Sequence, residues 1–330
     1  MNRVGRRIGD TLWRASMGLY LVTGGCGFIG SHLVDSLLAD GNEVVVLDDL
    51  STGRTDNLDR RARLIVGDVA DPALTKRAMA GVDGCFHLAA IASVARSTED
   101  WPGSHRTNLG GTIAVFDAAR GALPVPVVYA SSAAVYGAAE DAALGEDSPT
   151  RPLTAYGADK LGSELHARVA SHVHGIPTVG LRFFNVYGPR QDPHSPYSGV
   201  ISIFLERIAG GRAVTIDGDG QQTRDFVHVA DIVAHLRAAM ERNRAGAAVY
   251  NVCTGRATSV LDLAQILARR LGAEAAIGHG PARSGDMRRA IGSPERAARA
   301  LGLRAEIMIE QGLDRLITAQ RQSPAGGQAA

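Results

Sequence analysis

The chain has 330 residues, with 35 Lys plus Arg against 34 Asp plus Glu and a formal net charge of +1. That length suits about two domains of roughly 150 residues, and the charge balance argues against nucleic acid or an anionic membrane as the main partner. Apolar residues at 45% and charged residues at 21% exclude disorder of the whole chain.

Residues 1–17 carry four arginines but no apolar core of the kind a secretory signal needs. They are expected to form a disordered extension, with Met17, just before the first strand, read as the natural start. Short apolar runs then alternate with helical patterns. Gly18–Thr23, Val44–Leu47, Arg63–Val66, Cys85–Leu88 and Val125–Ala130 read as buried strands. Amphipathic stretches such as Ile29–Ala39 and Asn108–Arg120 lie between them. Alternation of this kind needs right-handed crossovers and gives a parallel sheet covered on both faces. Thr178–Asn185 reads as the sixth strand. Gly188–Gly199 is rich in Pro, Ser and Gly, as a loop entering a second lobe would be.

The expected architecture is therefore α/β, a Rossmann-type doubly wound parallel sheet with a smaller, discontinuous C-terminal substrate lobe. The sheet domain covers 18–185 with 226–258 returning to it, the lobe covers 186–225 and 259–319, and 320–330 is a disordered tail. No repeat of 20–50 residues and no apolar run of about 18 residues is present. Cys26, Cys85 and Cys253 form no CxxC pair, so neither a disulfide framework nor a zinc site is expected, and a reducing, cytoplasmic setting follows. The ten histidines show no metal-ligand spacing backed by carboxylates, so no metal is expected.

Gly24, Gly27 and Gly30 follow the first strand and open a helix together with Phe28 and Ile29. Glycines there allow a tight turn and close approach to a pyrophosphate, whose charge meets the positive end of the helix dipole. Asp48 ends the second strand 18 residues after Gly30. Its carboxylate can accept from an adenosine ribose and repels a 2′-phosphate, which favours NAD over NADP. Asp49 is the competing candidate, or a turn residue. Asp68 and Val69 follow the third strand, where they can bracket an adenine. Leu88, Ala89 and Ala90 follow the fourth and are small enough for close cofactor approach.

Tyr156 and Lys160 are spaced i, i+4 in a helical segment, Ala155–Ser171, and Ser132 lies just past the fifth strand on the same rim. The three suit oxidation of a sugar hydroxyl. A tyrosine with its ordinary pKa of about 10 is ionised only about once in a thousand at pH 7, and lowering it three units takes roughly 4 kcal/mol. A lysine ammonium within about 4–6 Å and a positive nicotinamide can supply much of that. Ser132 then holds the reacting oxygen.

TGGCGFIG, SSAAVYG, YGADK and RFFNVYGPRQDP resemble the extended short-chain dehydrogenase/reductase family, and within it the nucleotide-sugar epimerases, from about Leu19 to Thr318. The resemblance implies an NAD-dependent isomerase, a UDP-sugar 4-epimerase working through a 4-keto intermediate. UDP-glucose and UDP-galactose would be its substrates, and their N-acetylated counterparts further ones. It assigns Tyr156 as base, Lys160 to the nicotinamide ribose and to tuning Tyr156, and Ser132 to the sugar's 4-oxygen. It places Leu50, Ser51, Thr52 and Gly53 with the cofactor set and Phe184 near the nicotinamide. For substrate it implies Asn185 at the phosphates, Arg224 and Arg283 on the diphosphate, Asp286 on the nucleoside ribose, and Val200 and Ile216 in the pocket. His228 is expected to be structural.

Ala290 stands where members restricted to UDP-glucose and UDP-galactose tend to carry a bulky tyrosine. Dehydratase relatives carry an Asp-Glu pair after the fifth strand, where this chain has Ser132-Ala133-Ala134. The nearest alternatives are UDP-glucuronate epimerisation or decarboxylation, then dehydration, then a non-catalytic NAD-binding regulator. A homodimer built on Asn108–Arg120 and Ala155–Ser171 is a further implication of the family.

Overall fold

The computed structural model describes residues 17–138, 143–192, 199–243, 245–282 and 288–322. The expected extension before Met17 and the tail beyond 322 lie outside them. Six strands, β1 (Leu19–Thr23), β2 (Glu43–Asp48), β3 (Arg63–Val66), β4 (Gly84–His87), β5 (Val127–Ser132) and β6 (Thr178–Phe183), join the edge strand Ala247–Val252 in one sheet. Its order is Ala247–Val252, β6, β5, β4, β1, β2, β3, and every pairing is parallel. β5 starts at Val127, not Val125 as the apolar run predicts. Pro126 has no N–H for a ladder and contributes only its carbonyl, which accepts from Cys85 N at 2.9 Å.

The helices are α1 (Phe28–Ala39), α2 (Pro72–Ala78), α3 (Val94–Glu99), α4 (Trp101–His105), α5 (Gly111–Ala118), α6 (Ala155–His174), α7 (Val200–Ala209), α8 (Val229–Arg242), α9 (Val260–Leu271), α10 (Glu295–Leu301) and α11 (Ile309–Gln322). Successive strand side chains point to opposite faces, and the sheet sorts them accordingly. Val22, Val46, Phe86 and Val128 pack with Leu33 and Leu37 of α1 and Ile232 and Leu236 of α8. Leu21, Val45, Cys85 and Val127 pack with Ala78 of α2, Val115 of α5 and Ala167 of α6. Both faces are thus dry, which is why the strands read as continuous apolar runs.

A third cluster forms the lobe: Ile201 and Phe204 of α7, Leu263 and Leu267 of α9, Leu313 and Leu316 of α11, with Val214 and Ile216 between them. One boundary differs from expectation. Ala297, Leu301 and Ala305 pack into the cluster of α1 and α8, so α10 belongs to the sheet domain although the lobe was expected to run from 259 to 319. Among the described residues no helix is long and apolar enough to cross a membrane.

The carboxyl ends of β1 and β4 are tied by a buried polar chain. Thr23 Oγ1 accepts from Leu88 N and Ala89 N, both at 3.2 Å, and lies 2.8 Å from His87 Nδ1. The one hydroxyl proton of Thr23 therefore goes to Nδ1, and Nε2–H donates to Thr112 Oγ1 at 3.0 Å. Thr112 passes its own proton to Asn108 O at 2.6 Å. Asn108 sits in a π-helical turn, Arg106–Gly110, at the start of what the sequence predicts as plain helix, and its amide holds both backbone groups of Ile91.

Burial, reinforced by Lys160, pushes the His87 imidazole down to about 3. Unfolded His87 takes up a proton below about pH 6.5 and folded His87 does not until far lower, so it adds a loss of stability as pH falls through that window. His87→Gln should flatten the pH dependence of urea-unfolding stability between pH 6.5 and 4.5 by up to about 1.4 kcal/mol per pH unit. Equal slopes for the two proteins would show that His87 does not carry this term.

Candidate active site

The nucleotide loop is built by close approach. Gly24 has φ +71°, and a Cβ on it would lie 2.7 Å from Ala89 N. A Cβ on Gly30 would lie 2.1 Å from Gly24 O. The N-cap of α1 is Gly27, with no side-chain cap. The first N–H groups of α1, those of Phe28, Ile29 and Gly30, thus remain for a ligand, and a pyrophosphate is the anion such a cradle fits.

Asp48 is buried. Its Oδ2 accepts from Cys26 N and its Oδ1 from Leu50 N, both at 2.9 Å. Burial raises its carboxyl, opposed by those two N–H bonds. A Cβ on Gly53 would lie 2.8 Å from Asp48 Oδ1, so the Leu50–Gly53 turn wraps the carboxylate closely. Asp49 is the turn residue of the two alternatives: its Oδ1 accepts from Ser51 N at 2.9 Å and Ser51 Oγ at 2.6 Å. Thr52 is exposed beside them.

Asp68 accepts from Ala70 N and pairs with Arg106 at 2.6 Å, a partner the sequence did not disclose. The Val69 side chain turns into the core against Gly111, which leaves its backbone for an adenine. Leu88, Ala89 and Ala90 are half-buried at the same rim.

β5 and α6 bring the reactive trio together. Ser132 ends β5 and accepts from Ala134 N at 3.1 Å. Thr154 caps α6 through Gly157 N, fixing the first turn that carries Tyr156. The Tyr156 side chain faces Ser132, whose hydroxyl lowers the phenol. Lys160 Nζ donates to Ala130 O at 2.9 Å and lies 5.8 Å from the centroid of the Tyr156 ring. Burial pushes the Lys160 ammonium down to about 8, with Asp159 opposing.

The Tyr156 phenol is shifted upward by burial and lowered by Ser132. The Lys160 ammonium, engaged by the Ala130 carbonyl, stands over the same ring.

The substrate-side residues divide. Asn185 is exposed, at the start of a short strand, Asn185–Tyr187, paired with Phe226–His228. Val200 is half-buried at the first turn of α7. Arg224 lies in a three-stranded patch with Thr258–Ser259 and Arg289–Ala290, directly across from Ala290. Ile216 is 1% exposed within the lobe core, a correction: its side chain packs apolar neighbours and only its backbone remains for a ligand. Phe184 is likewise a core side chain, its ring tilted against Tyr136 at 6.4 Å and closed over by Gly292. Arg283 and Asp286 lie outside the described residues.

His228 has its Nδ1 on Ala230 N as the N-cap of α8 and its ring against Tyr187 at 5.4 Å. Burial pushes its imidazole down to about 4, as a neutral structural histidine requires. Asp225 was missed by sequence reasoning. It is fully buried and accepts from Thr254 N, Thr254 Oγ1, Gly255 N and Gly292 N, tying the loop after the edge strand to the lobe.

A parallel sheet with a glycine cradle at its central crossover and a Ser-Tyr-Lys centre on the same rim defines a dinucleotide-dependent α/β enzyme. Residues 20–253 match the NAD dependent epimerase/dehydratase family, and the chain belongs to that family. It is 39% identical over 305 residues to a UDP-glucose 4-epimerase of Mycolicibacterium smegmatis, covering 90% of this chain and 96% of the relative. It is 38% identical to a dTDP-glucose 4,6-dehydratase of Streptomyces griseus, covering 89% and 91%. The structure of a UDP-glucose 4-epimerase from Thermotoga maritima with UDP-glucose superposes with a TM-score of 0.89 at 34% identity, covering 92% and 99%.

The cradle yields a direct test. Gly30→Ala places a methyl against Gly24 O and must push the loop outward. NAD affinity, measured by calorimetric titration, should fall at least tenfold, about 1.4 kcal/mol. Unchanged affinity would remove this loop from the nucleotide site.

Proposed function

We propose that the protein is a UDP-sugar 4-epimerase that uses NAD as a recycled cofactor. The observation that carries this reading is the pairing of Ser132, at the end of β5, with Tyr156 on α6, on a rim whose next residues are Ala133 and Ala134. Elimination of water needs an acid to protonate a leaving hydroxyl, and this turn supplies none. Epimerisation needs only one group that takes and returns a proton at the sugar's 4-oxygen.

In this reading Tyr156 accepts the 4-hydroxyl proton, and Ser132 holds the same oxygen so that proton transfer stays aligned. Lys160, anchored on Ala130 O, sits where it can hold the nicotinamide ribose. NAD, when bound, supplies the hydride acceptor and donor, and the protein provides alignment and charge. Asn185 and Arg224 hold the diphosphate end, so the sugar is left with few directional contacts and can present its other face. Ala290, a single methyl opposite Arg224, supports acceptance of N-acetylated sugars. The buried, unpaired cysteines fit a reducing cytoplasm.

Purified protein should interconvert UDP-glucose and UDP-galactose and also act on UDP-N-acetylglucosamine. Tyr156→Phe should lower kcat by about 10³-fold, within the range of acid–base groups, while NAD remains bound. A 4-keto-6-deoxy product, or turnover of UDP-glucuronate alone, would displace the proposal.

We also propose that two chains pair through α5 and α6. On α6, Leu165, Val169 and Val173 are 53%, 53% and 61% exposed at i, i+4 and i+8, a continuous apolar stripe that water does not favour. Sedimentation should show a dimer, and Val169→Glu should convert it to monomer. A monomeric parent protein would end this reading.

A further inference from the structure

Beneath the reactive trio lies a buried ion pair that the chemistry above does not use. Glu164 on α6 and Arg182 on β6 are almost wholly buried and meet through two bonds, Nε to Oε1 at 2.8 Å and Nη2 to Oε2 at 2.7 Å. Glu164 Oε1 also accepts from Ser131 Oγ at 2.5 Å, the range of a strong charge-assisted bond. Arg182 Nη1 donates to Tyr136 OH at 2.8 Å, and its guanidinium stacks 4.8 Å from the Tyr136 ring. Tyr136 OH in turn donates to Asn251 Oδ1 at 2.7 Å.

The placement of these contacts is specific. Tyr156, Lys160 and Glu164 stand at i, i+4 and i+8 on one face of α6; Lys160 bonds Ala130 O, Glu164 accepts from Ser131 Oγ, and Tyr156 faces Ser132. Ser131 immediately precedes Ser132, and Tyr136 closes the turn that follows it. One ion pair therefore grips the chain on both sides of Ser132 and the helix that carries Tyr156. A buried ion pair is costly, and an apolar pair of equal volume is often as stable. Stability alone gives no reason for it here.

We propose that Glu164 and Arg182 are positioning residues that hold Ser132 in register with the Tyr156 hydroxyl. The inference rests on the reading of Tyr156 as the proton acceptor. Around that phenol stand Ser132 from β5, Lys160 from its own helix with neutral His87 beyond it, and Ser97 of α3 at the Tyr156 backbone; the Asp159–His105 pair lies on the adjoining side of α6. Of these, Ser132 is the group that lowers the phenol. A loosened register therefore shifts Ser132 away from the phenol and raises its midpoint.

The test uses the NAD-loaded protein. The phenolate absorbance of Tyr156 is titrated as the difference between each protein and its Tyr156→Phe counterpart, for the parent, Ser131→Ala and Glu164→Gln. UDP-sugar turnover is measured alongside. We expect the midpoint to rise by at least half a unit, about threefold in acidity. We also expect kcat to fall about tenfold, with KM within twofold and NAD retained. Ser131→Ala leaves the ion pair whole, so it carries the test if Glu164→Gln does not fold. A midpoint equal to the parent's in Ser131→Ala overturns the proposal, whether kcat is unchanged or reduced, because general loosening gives the latter. A raised midpoint in a protein that turns over no UDP-sugar upholds the positioning role and rejects the substrate reading.

Discussion

A phenol taken out of water resists ionisation, and the upward shift of Tyr156 by burial sets the terms for the rest of the site. In the proposed reaction the same burial keeps solvent from the intermediate, so the group is not simply moved to the surface. What remains is to lower it with neighbours that need no reorganisation during the reaction. Ser132 does so directly. Lys160, held on the Ala130 carbonyl and itself pushed down to about 8 by burial, stands over the same ring.

That requirement explains why the sheet is so strictly braced at its carboxyl ends. β1 and β4 each end in a hydroxyl-bearing or imidazole side chain engaged with the next element: Thr23 with His87 and His87 with Thr112. Each bond is short and buried, where an unmade partner would cost about 1–3 kcal/mol. Ser163 of α6 donates to the same Thr112, so the glycine loop and α6 are two parts of one hydrogen-bonded frame. The lobe is attached to that frame by Asp225, a fully buried carboxylate with four donors around it, which joins the Thr254–Gly255 turn to Gly292.

The sheet was legible because both of its faces are dry: β2 reads as an unbroken apolar run, and the glycine spacing after β1 admits few other backbones. The Ser-Tyr-Lys trio was legible because its spacing and rim position are set by local periodicity. Residues that act across long separations were not. Nothing near Asp68 in sequence announces Arg106, and nothing near Ser131 announces Glu164, since a pattern of charges along the chain does not say which of them the fold brings together. The lobe expected over 259–319 took in α10, because Ala297 and Leu301 mark an apolar face without saying which of two cores it joins.

α6 shows the limit of amphipathic reading most clearly. Its buried face holds Gly157, Asp159, Lys160, Ser163 and Glu164, while Leu165, Val169 and Val173 face outward. A helix stabilised only by hydrophobic burial would turn the other way. The inversion has two physical causes acting on opposite sides. Inside, Ser131 and Ala130 offer partners to a carboxylate and an ammonium in successive turns, and Ser132 faces the phenol. Outside, Leu165, Val169 and Val173 form an apolar stripe, the face proposed to meet a second chain. The proposed catalytic and pairing faces of α6 thus constrain each other, because rotating the helix to bury its leucine and valines would withdraw Tyr156 from Ser132.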